Sequence, residues 1–206
     1  MHDTSSLADL DLLRLLAQES DSEALITLYR RYQGPIYRFS LQMSGSESVA
    51  EDVTQEVFLA LMRDSSKFDP DRGSFAAYLF GIARNQVRRI LGRGSVLSLV
   101  TEDTEDDSGL NSILIVPDDP LANLTKMEDL HALRQSILAL PVHYREVVVL
   151  CDLEEMSYAD AAAALTCAVG TIRSRLHRAH AILIQKLREE GNRPASRLRS
   201  NSRCFA

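Results

Sequence analysis

Apolar residues recur at helical spacing along most of the chain, and that period limits the fold more than any other feature. Ala50, Val53, Val57 and Leu61 fall on one stripe, as do Leu25, Leu28, Tyr29 and Tyr32, and again Ile172, Leu176, Ala179 and Leu183. A three-to-four-residue repeat is the signature of an amphipathic helix, whereas a half-buried strand would alternate. The β-branched run VVVL at 147–150 lies inside a helical pattern that starts at Tyr144. An all-α fold is expected.

Punctuation divides the pattern. In the first stretch, Leu12, Leu15 and Leu16 make a short helix, and Ser20-Asp21-Ser22-Glu23 reads as a capping box for the next. Gly34-Pro35 must start or kink a helix, because proline has no N–H to donate. The following helix, Ile36 to Met43, should stop near Gly45, and Ser48-Val49-Ala50-Glu51 reads as a second capping box. FDPDRGS at 68–74 is a loop by composition. A helix from Phe75 to about Leu91 then turns Leu79, Ile82, Ala83 and Ile90 inward. The second stretch opens with a helix through Leu124, Met127, Leu130, Leu133 and Ile137, broken by Pro141. A helix from Tyr144 to about Cys151 follows. Ser157 caps a short helix to Leu165, and Thr166-Cys167-Ala168 leads tightly into a long basic helix.

Charge supports the division. The formal charge is −6, but residues 1–93 carry −2, 94–130 carry −8, 131–190 are neutral and 191–206 carry +4. Residues 94–120 mix Ser, Gly, Pro and acids without a helical period, so they read as a flexible acidic linker. Residues 191–206 read as a basic disordered tail. The expected modules are therefore 9–93 and 121–190. No apolar run of about 18 residues suggests a membrane span, and acids stand where a signal peptide needs a basic start. Cys151, Cys167 and Cys204 are odd in number and widely spaced, which argues against a disulfide framework or zinc site. A cytoplasmic setting is expected, with no metal and no cofactor.

The 157–183 segment has the parts of a helix-turn-helix: a capped short helix, a three-residue turn and a longer helix, with small Ala162 where the two must approach. On the long helix, Thr171, Ser174, Arg175 and Arg178 share the side opposite the apolar stripe. Guanidiniums can pair bidentately with guanine, and hydroxyls reach phosphates or base edges in a major groove. Arg173, His177 and Lys186 would flank them on phosphates. Charge alone is equally compatible with a merely solvated face.

Two further clusters stand out. Asp52, Gln55 and Glu56 form a compact acidic-amide patch behind the Ala50–Leu61 stripe. Carboxylates there could hold a cation, but no nucleophile, general base or phosphate loop completes an active site, so an interaction patch or a solvated face fits better. In GSFAAYLFGIARNQVRRILGR at 73–93, Arg84, Arg88 and Arg89 lie about one turn apart, beyond the aromatics Phe75, Tyr78 and Phe80. Rings beside arginines suit single-stranded nucleic acid, because bases stack while guanidiniums hold phosphates. Aromatics at helical spacing are also common core residues; Tyr78 is the one expected to be partly exposed.

LYRRYQGPIYRFSLQMSG, AEDVTQEVFLALM, FDPDRGSFAAYLFGIARNQ and LPVHYREVVVLCDLEEMSYADAAAALTCAVGTIRSRLHRAHAIL together resemble bacterial extracytoplasmic-function sigma factors of the sigma-70 superfamily. The resemblance spans roughly residues 9–93 and 121–188, with the motifs in order. It implies sigma domains 2 and 4, and a non-enzymatic alternative sigma factor that recruits core RNA polymerase to promoter DNA. It gives Asp52, Gln55 and Glu56 the clamp helices of the polymerase's largest subunit, and gives domain 4 the flap region. Phe75, Tyr78, Arg84, Asn85, Arg88 and Arg89 would open and hold the −10 element, with a flipped base in the FDPDRGS loop. Thr171, Arg173, Ser174, Arg175, His177 and Arg178 would read the −35 duplex. An anti-sigma protein is the implied regulator.

The chain departs from the family in three ways. Tyr78 stands where tryptophan is common, and Thr166 stands where the turn usually has glycine, although threonine tolerates positive φ poorly. Cys167 is unusual in that turn; a small buried residue is expected there rather than a redox role. The alternative reading is a stand-alone dimeric helix-turn-helix regulator, with residues 1–93 as a sensing or dimerising domain.

Overall fold

The computed structural model describes residues 7–19, 21–94 and 124–191, so the expected linker and tail lie outside the described residues apart from their first glycines. Eight α-helices build the described fold, and no strand occurs among those residues. They are α1 (Asp9–Glu19), α2 (Ser22–Ser44), α3 (Glu47–Arg63), α4 (Phe75–Gly94), α5 (Leu124–Leu138), α6 (Val142–Val148), α7 (Tyr158–Leu165) and α8 (Val169–Gly191). Two short 3₁₀ turns, Ser65–Lys67 and Pro70–Arg72, join α3 to α4, and a π-turn, Val149–Leu153, extends α6.

The helix ends correct the sequence reading by one or two residues. The cap of α2 is Asp21, whose carboxylate accepts from Glu23 N at 2.8 Å. The cap of α3 is Ser46, not Ser48, with its hydroxyl toward Val49 N. Gly45 ends α2 at φ 69°, which leaves Ser46 as the one extended residue before α3 begins. Gly34-Pro35 starts nothing: α2 runs continuously across it. An interior proline costs a helix about 3 kcal/mol. Here Leu28 before it and Ile36 and Phe39 after it are fully buried in the same core, at about 1.5–3 kcal/mol each, so packing on both sides outweighs the break. The helix expected from Tyr144 begins instead at Val142, directly after Pro141. It ends in the π-turn, where Glu154 N donates to Val149 O at 3.0 Å, a wider closure of the kind found at bulges.

The two modules share one continuous core. Leu12, Phe39, Leu61 and Leu79 of the first and Leu140, Leu150 and Ile172 of the second belong to the same set of buried contacts. Phe39 meets Phe80 edge-on at 5.4 Å. Close approach is possible because the facing residues are small. A Cβ on Gly73 would stand 2.9 Å from that of Ala163, and one on Gly81 would touch the Ala164 backbone at 3.5 Å.

Polar groups cross the same boundary. The half-buried Arg145 guanidinium donates to Met43 O on α2 at 2.7 Å, to Leu140 O at 3.0 Å and to Leu138 O. These carbonyls lie at helix ends, where no intrahelical partner exists, so one side chain caps α2 and α5 together. Burial lowers the Arg145 pKa and neighbouring Glu146 opposes that shift. Arg38 forms a two-point pair with Glu154, at 3.0 and 2.8 Å; burial nevertheless raises the Glu154 carboxyl, with Arg38 pulling it back.

Ser157 caps α7, accepting from Asp160 N at 3.1 Å, while its own hydroxyl donates to Asp160 Oδ2 at 2.6 Å. Burial alone would raise the Asp160 carboxyl, but bonds from Ser157 and Ser74 hold it below its ordinary value. Ser157→Ala is expected to cost about 1 kcal/mol, or roughly 2–4 °C in melting temperature for a chain of this size, measurable by circular dichroism.

Candidate nucleic-acid interface

The α7–turn–α8 unit carries the first candidate surface. Ile172, Leu176, Ala179 and Leu183 are all buried, which fixes the rotation of α8. Arg173, Ser174, His177 and Arg178 are consequently exposed on the other side, with Thr171 and Arg175 half-buried at its margin. Ser174 Oγ donates to Thr171 O at 3.0 Å, so that hydroxyl rests on the helix until a ligand competes for it.

Thr166 does adopt the left-handed conformation that glycine favours, with φ 56° and ψ 45°. Its cost, of order 1–2 kcal/mol for a residue with a Cβ, is offset by closure of the α7 end: Thr166 N donates to Ala163 O and Cys167 N to Ala162 O at 3.0 Å. That pair of bonds is a Schellman motif, whose second residue past the helix usually makes an apolar contact. Cys167 fills that position and packs against the core. Cys151, on the π-turn, has its thiol pushed up to about 11 by burial and then by Asp152, so it is held protonated and unreactive.

Around α4 the expected residues are brought together less evenly. Phe75 is buried among the rings of Tyr32, Phe68 and Tyr78, which leaves it no free face for a base. Tyr78 is half-exposed at the edge of this cluster, 5.6 Å from Phe68, and burial raises its pKa. Asn85 and Arg89 are exposed. Arg84 and Arg88 turn the other way, onto Glu146 of α6. Arg84 Nε is 2.7 Å from Glu146 Oε1, and Arg88 reaches the same carboxylate at 3.0 and 3.4 Å. Glu146 is fully buried, whereas the Arg84 and Arg88 side chains retain 13% and 48% exposure. No local pattern points to this triad, since its partners are 58 and 62 positions apart and Glu146 stands between Arg145 and the apolar run VVVL.

On α3, Asp52 and Gln55 are exposed and Glu56 is half-buried, 4.0 Å from Arg63. Gln55 also borders an apolar groove between α2 and α3, lined by Leu25, Ile26, Tyr29, Phe58, Leu59 and Met62. Ile26, Tyr29, Leu59 and Met62 are large exposed hydrophobics. The sequence reading puts Leu25 and Tyr29 on an inward stripe and assigns Ile26, Leu59 and Met62 to none, so the groove between the two helices is not legible in it. Among the described residues no His, Cys, Asp and Glu cluster could hold a metal ion, and no helix is long and apolar enough to cross a membrane.

Known proteins resemble this chain along most of its length. The sigma-70 region 2 family matches residues 28–95, and the sigma-70 region 4 family matches residues 130–183. An ECF RNA polymerase sigma factor of Bacillus subtilis, SigW, is 30% identical over 84% of this chain and 93% of its own. SigC of Mycobacterium tuberculosis is 33% identical over 84% of this chain and 88% of its own. Among solved structures, CnrH in complex with the cytosolic domain of CnrY matches with a TM-score of 0.65 and 25% identity, over 88% of this chain and 98% of that one. RpoE of Bartonella quintana, in complex with the anti-sigma factor NepR, shares the fold at a TM-score of 0.56 and 23% identity, over 76% and 91%. With regions 2 and 4 matched in order and relatives aligned over nearly their full length, the chain belongs to the ECF RNA polymerase sigma factors.

Proposed function

We propose that this sigma factor reads promoters by two different physical routes and docks on polymerase by a third surface. Residues 121–190 act as domain 4, placing Thr171, Arg173, Ser174, Arg175, His177 and Arg178 in the major groove of a −35 element. Residues 9–93 act as domain 2, with Tyr78, Arg84, Asn85, Arg88 and Arg89 holding the separated strand at −10. Phe75 supports Tyr78 from behind. Asp52, Gln55 and Glu56, with the adjoining apolar groove, meet the clamp helices of core RNA polymerase. A polar patch beside exposed apolar side chains is the usual composition of a protein interface. An anti-sigma protein competing for that face is the expected regulator. The protein performs no chemistry of its own and works in the cytoplasm, where its polymerase is.

The observation that carries this reading is the face of α8, where arginine and hydroxyl side chains project opposite a buried stripe. The test is transcription in vitro with purified protein, core polymerase and fragmented DNA from the source organism. Mapped starts sharing elements near −35 and −10 are expected. Duplex binding without core-dependent transcription would instead favour a stand-alone dimeric regulator.

A further inference from the structure

We propose that Tyr32 is a positioning residue for strand capture at −10. Anchored by Asp9 on α1, it fixes the ring of Phe75 and, through it, the stacking face of Tyr78. The role rests on the reading of Tyr78 as the ring that receives an unpaired base.

A tyrosine at position 32 buries the same ring as a phenylalanine would, and adds a hydroxyl that needs a partner once it leaves water. That partner is the carboxylate of Asp9, the first residue of α1: Tyr32 Oη donates to Asp9 Oδ2. The other oxygen of the same carboxylate accepts from Arg31 Nη1 at 2.7 Å, and Arg31 Nη2 donates to Leu7 O at 2.8 Å. Burial first, and then the bond and charge of Asp9, raise the Tyr32 hydroxyl above its ordinary value, with Arg31 opposing. It therefore stays a donor at working pH. The tip of the ring is held by α1, and its body packs on the core.

Tyr32 meets Phe75 edge-on, with centroids 5.4 Å apart and planes at 87°. Phe75 opens α4 and Tyr78 lies one turn on, where residues i and i+3 share a face. Their rings are stacked at 6.4 Å. Phe68 closes the group from the loop side, 5.5 Å from Phe75 and 5.6 Å from Tyr78. α1 also packs on the Ser65–Lys67 turn, which leads into Phe68. Asp9 thus reaches Tyr78 through two rings, and α1 reaches it again through the turn. All of these groups lie between residues 7 and 78, so the brace belongs to the first module alone. A ring already in place loses little freedom when a base stacks on it, and such pre-organisation turns a contact into affinity.

The test uses the full chain in complex with core polymerase, on one promoter mapped by transcription in vitro. Permanganate reactivity of thymines around −10 reads how fast the strands part. The dependence of that rate on holoenzyme concentration separates closed-complex affinity from the opening step. Tyr32→Phe keeps the ring and removes the bond to Asp9. It is expected to slow the opening step about five- to tenfold, a part of what one base–ring stack is worth. Closed-complex affinity should be unchanged. Asp9→Ala removes the acceptor from the α1 side and should slow opening at least as much.

Tyr78→Ala supplies the background that separates positioning from general loosening. Effects of independent sites add, whereas residues acting through one another do not. Once Tyr78 is removed, Tyr32→Phe should therefore have no further effect. Normal opening by Tyr32→Phe, with Tyr78→Ala slow, would overturn the brace and leave the −10 reading standing. Additive losses in the double variant would overturn it as well, because Tyr32 would then act by another route. Normal opening by Tyr78→Ala would remove the reading of that ring, and the brace with it. Circular dichroism monitors folding, and Asp9→Ala decides the matter should Tyr32→Phe fail to fold.

Discussion

Arg84→Ala should lower the stability of the free protein by about 3 kcal/mol. Arg84 Nε donates to Glu146 Oε1 at 2.7 Å, the shortest bond in the triad, and Glu146 is fully buried. Removing one partner of a buried pair typically costs 3–5 kcal/mol, because the remaining charge is left without compensation. Arg88 remains on the same carboxylate, which places the loss at the lower end. For a chain of this size that is roughly 6–12 °C in melting temperature, read by thermal denaturation. Arg88→Ala should cost less, since that side chain is half in water and its contacts are longer, 3.0 and 3.4 Å. Arg84→Lys keeps the charge but loses the Nε donor that meets Glu146 Oε1, and should fall between. A loss below about 1 kcal/mol for Arg84→Ala would mean that water or Arg88 alone satisfies Glu146, and that the triad does not hold the modules.

Most of the secondary structure was legible in the sequence, for a local reason. Helical period depends only on residues a few positions apart, and the stripes Ala50–Leu61 and Ile172–Leu183 indeed face the core. Ends were less legible because neighbouring Ser and Asp residues compete to cap: Ser48 and Ser46 lie two apart, and the left-handed Gly45 decided between them. Pro35 misled because its penalty is local while the burial that outweighs it is tertiary. The candidate site divides along the same line. The α8 face followed from helical rotation alone. The burial of Phe75 by Tyr32 and Phe68, the groove between α2 and α3, and the Glu146 triad all join segments distant in sequence. No periodicity announces them.

Asp52→Lys should nearly abolish sigma-directed transcription while leaving the fold intact. Asp52 is exposed on α3, outside the buried stripe, and substitutions at such positions usually change stability by less than about 0.5 kcal/mol. If this face meets the polymerase clamp, a reversed charge there costs at least the roughly 2 kcal/mol of an interface hot spot, or about a 30-fold loss of affinity. Core binding by fluorescence titration and transcript yield from one mapped promoter measure the two consequences. Duplex DNA binding provides the internal control, because the helix proposed to read it, α8, lies on the other module and should be unaffected. Loss of core binding with duplex binding kept would assign docking to the α3 face. Wild-type transcription by Asp52→Lys would move docking off the acidic patch and onto the neighbouring apolar groove, where Leu59→Lys or Met62→Lys is the corresponding substitution. The two surfaces are adjacent but differ in physics: added salt shortens the Debye length below its roughly 8–10 Å at 0.1–0.15 M and so weakens a charge-led contact, while apolar burial is left largely untouched. The salt dependence of core binding by the unaltered protein therefore already reports which of them dominates.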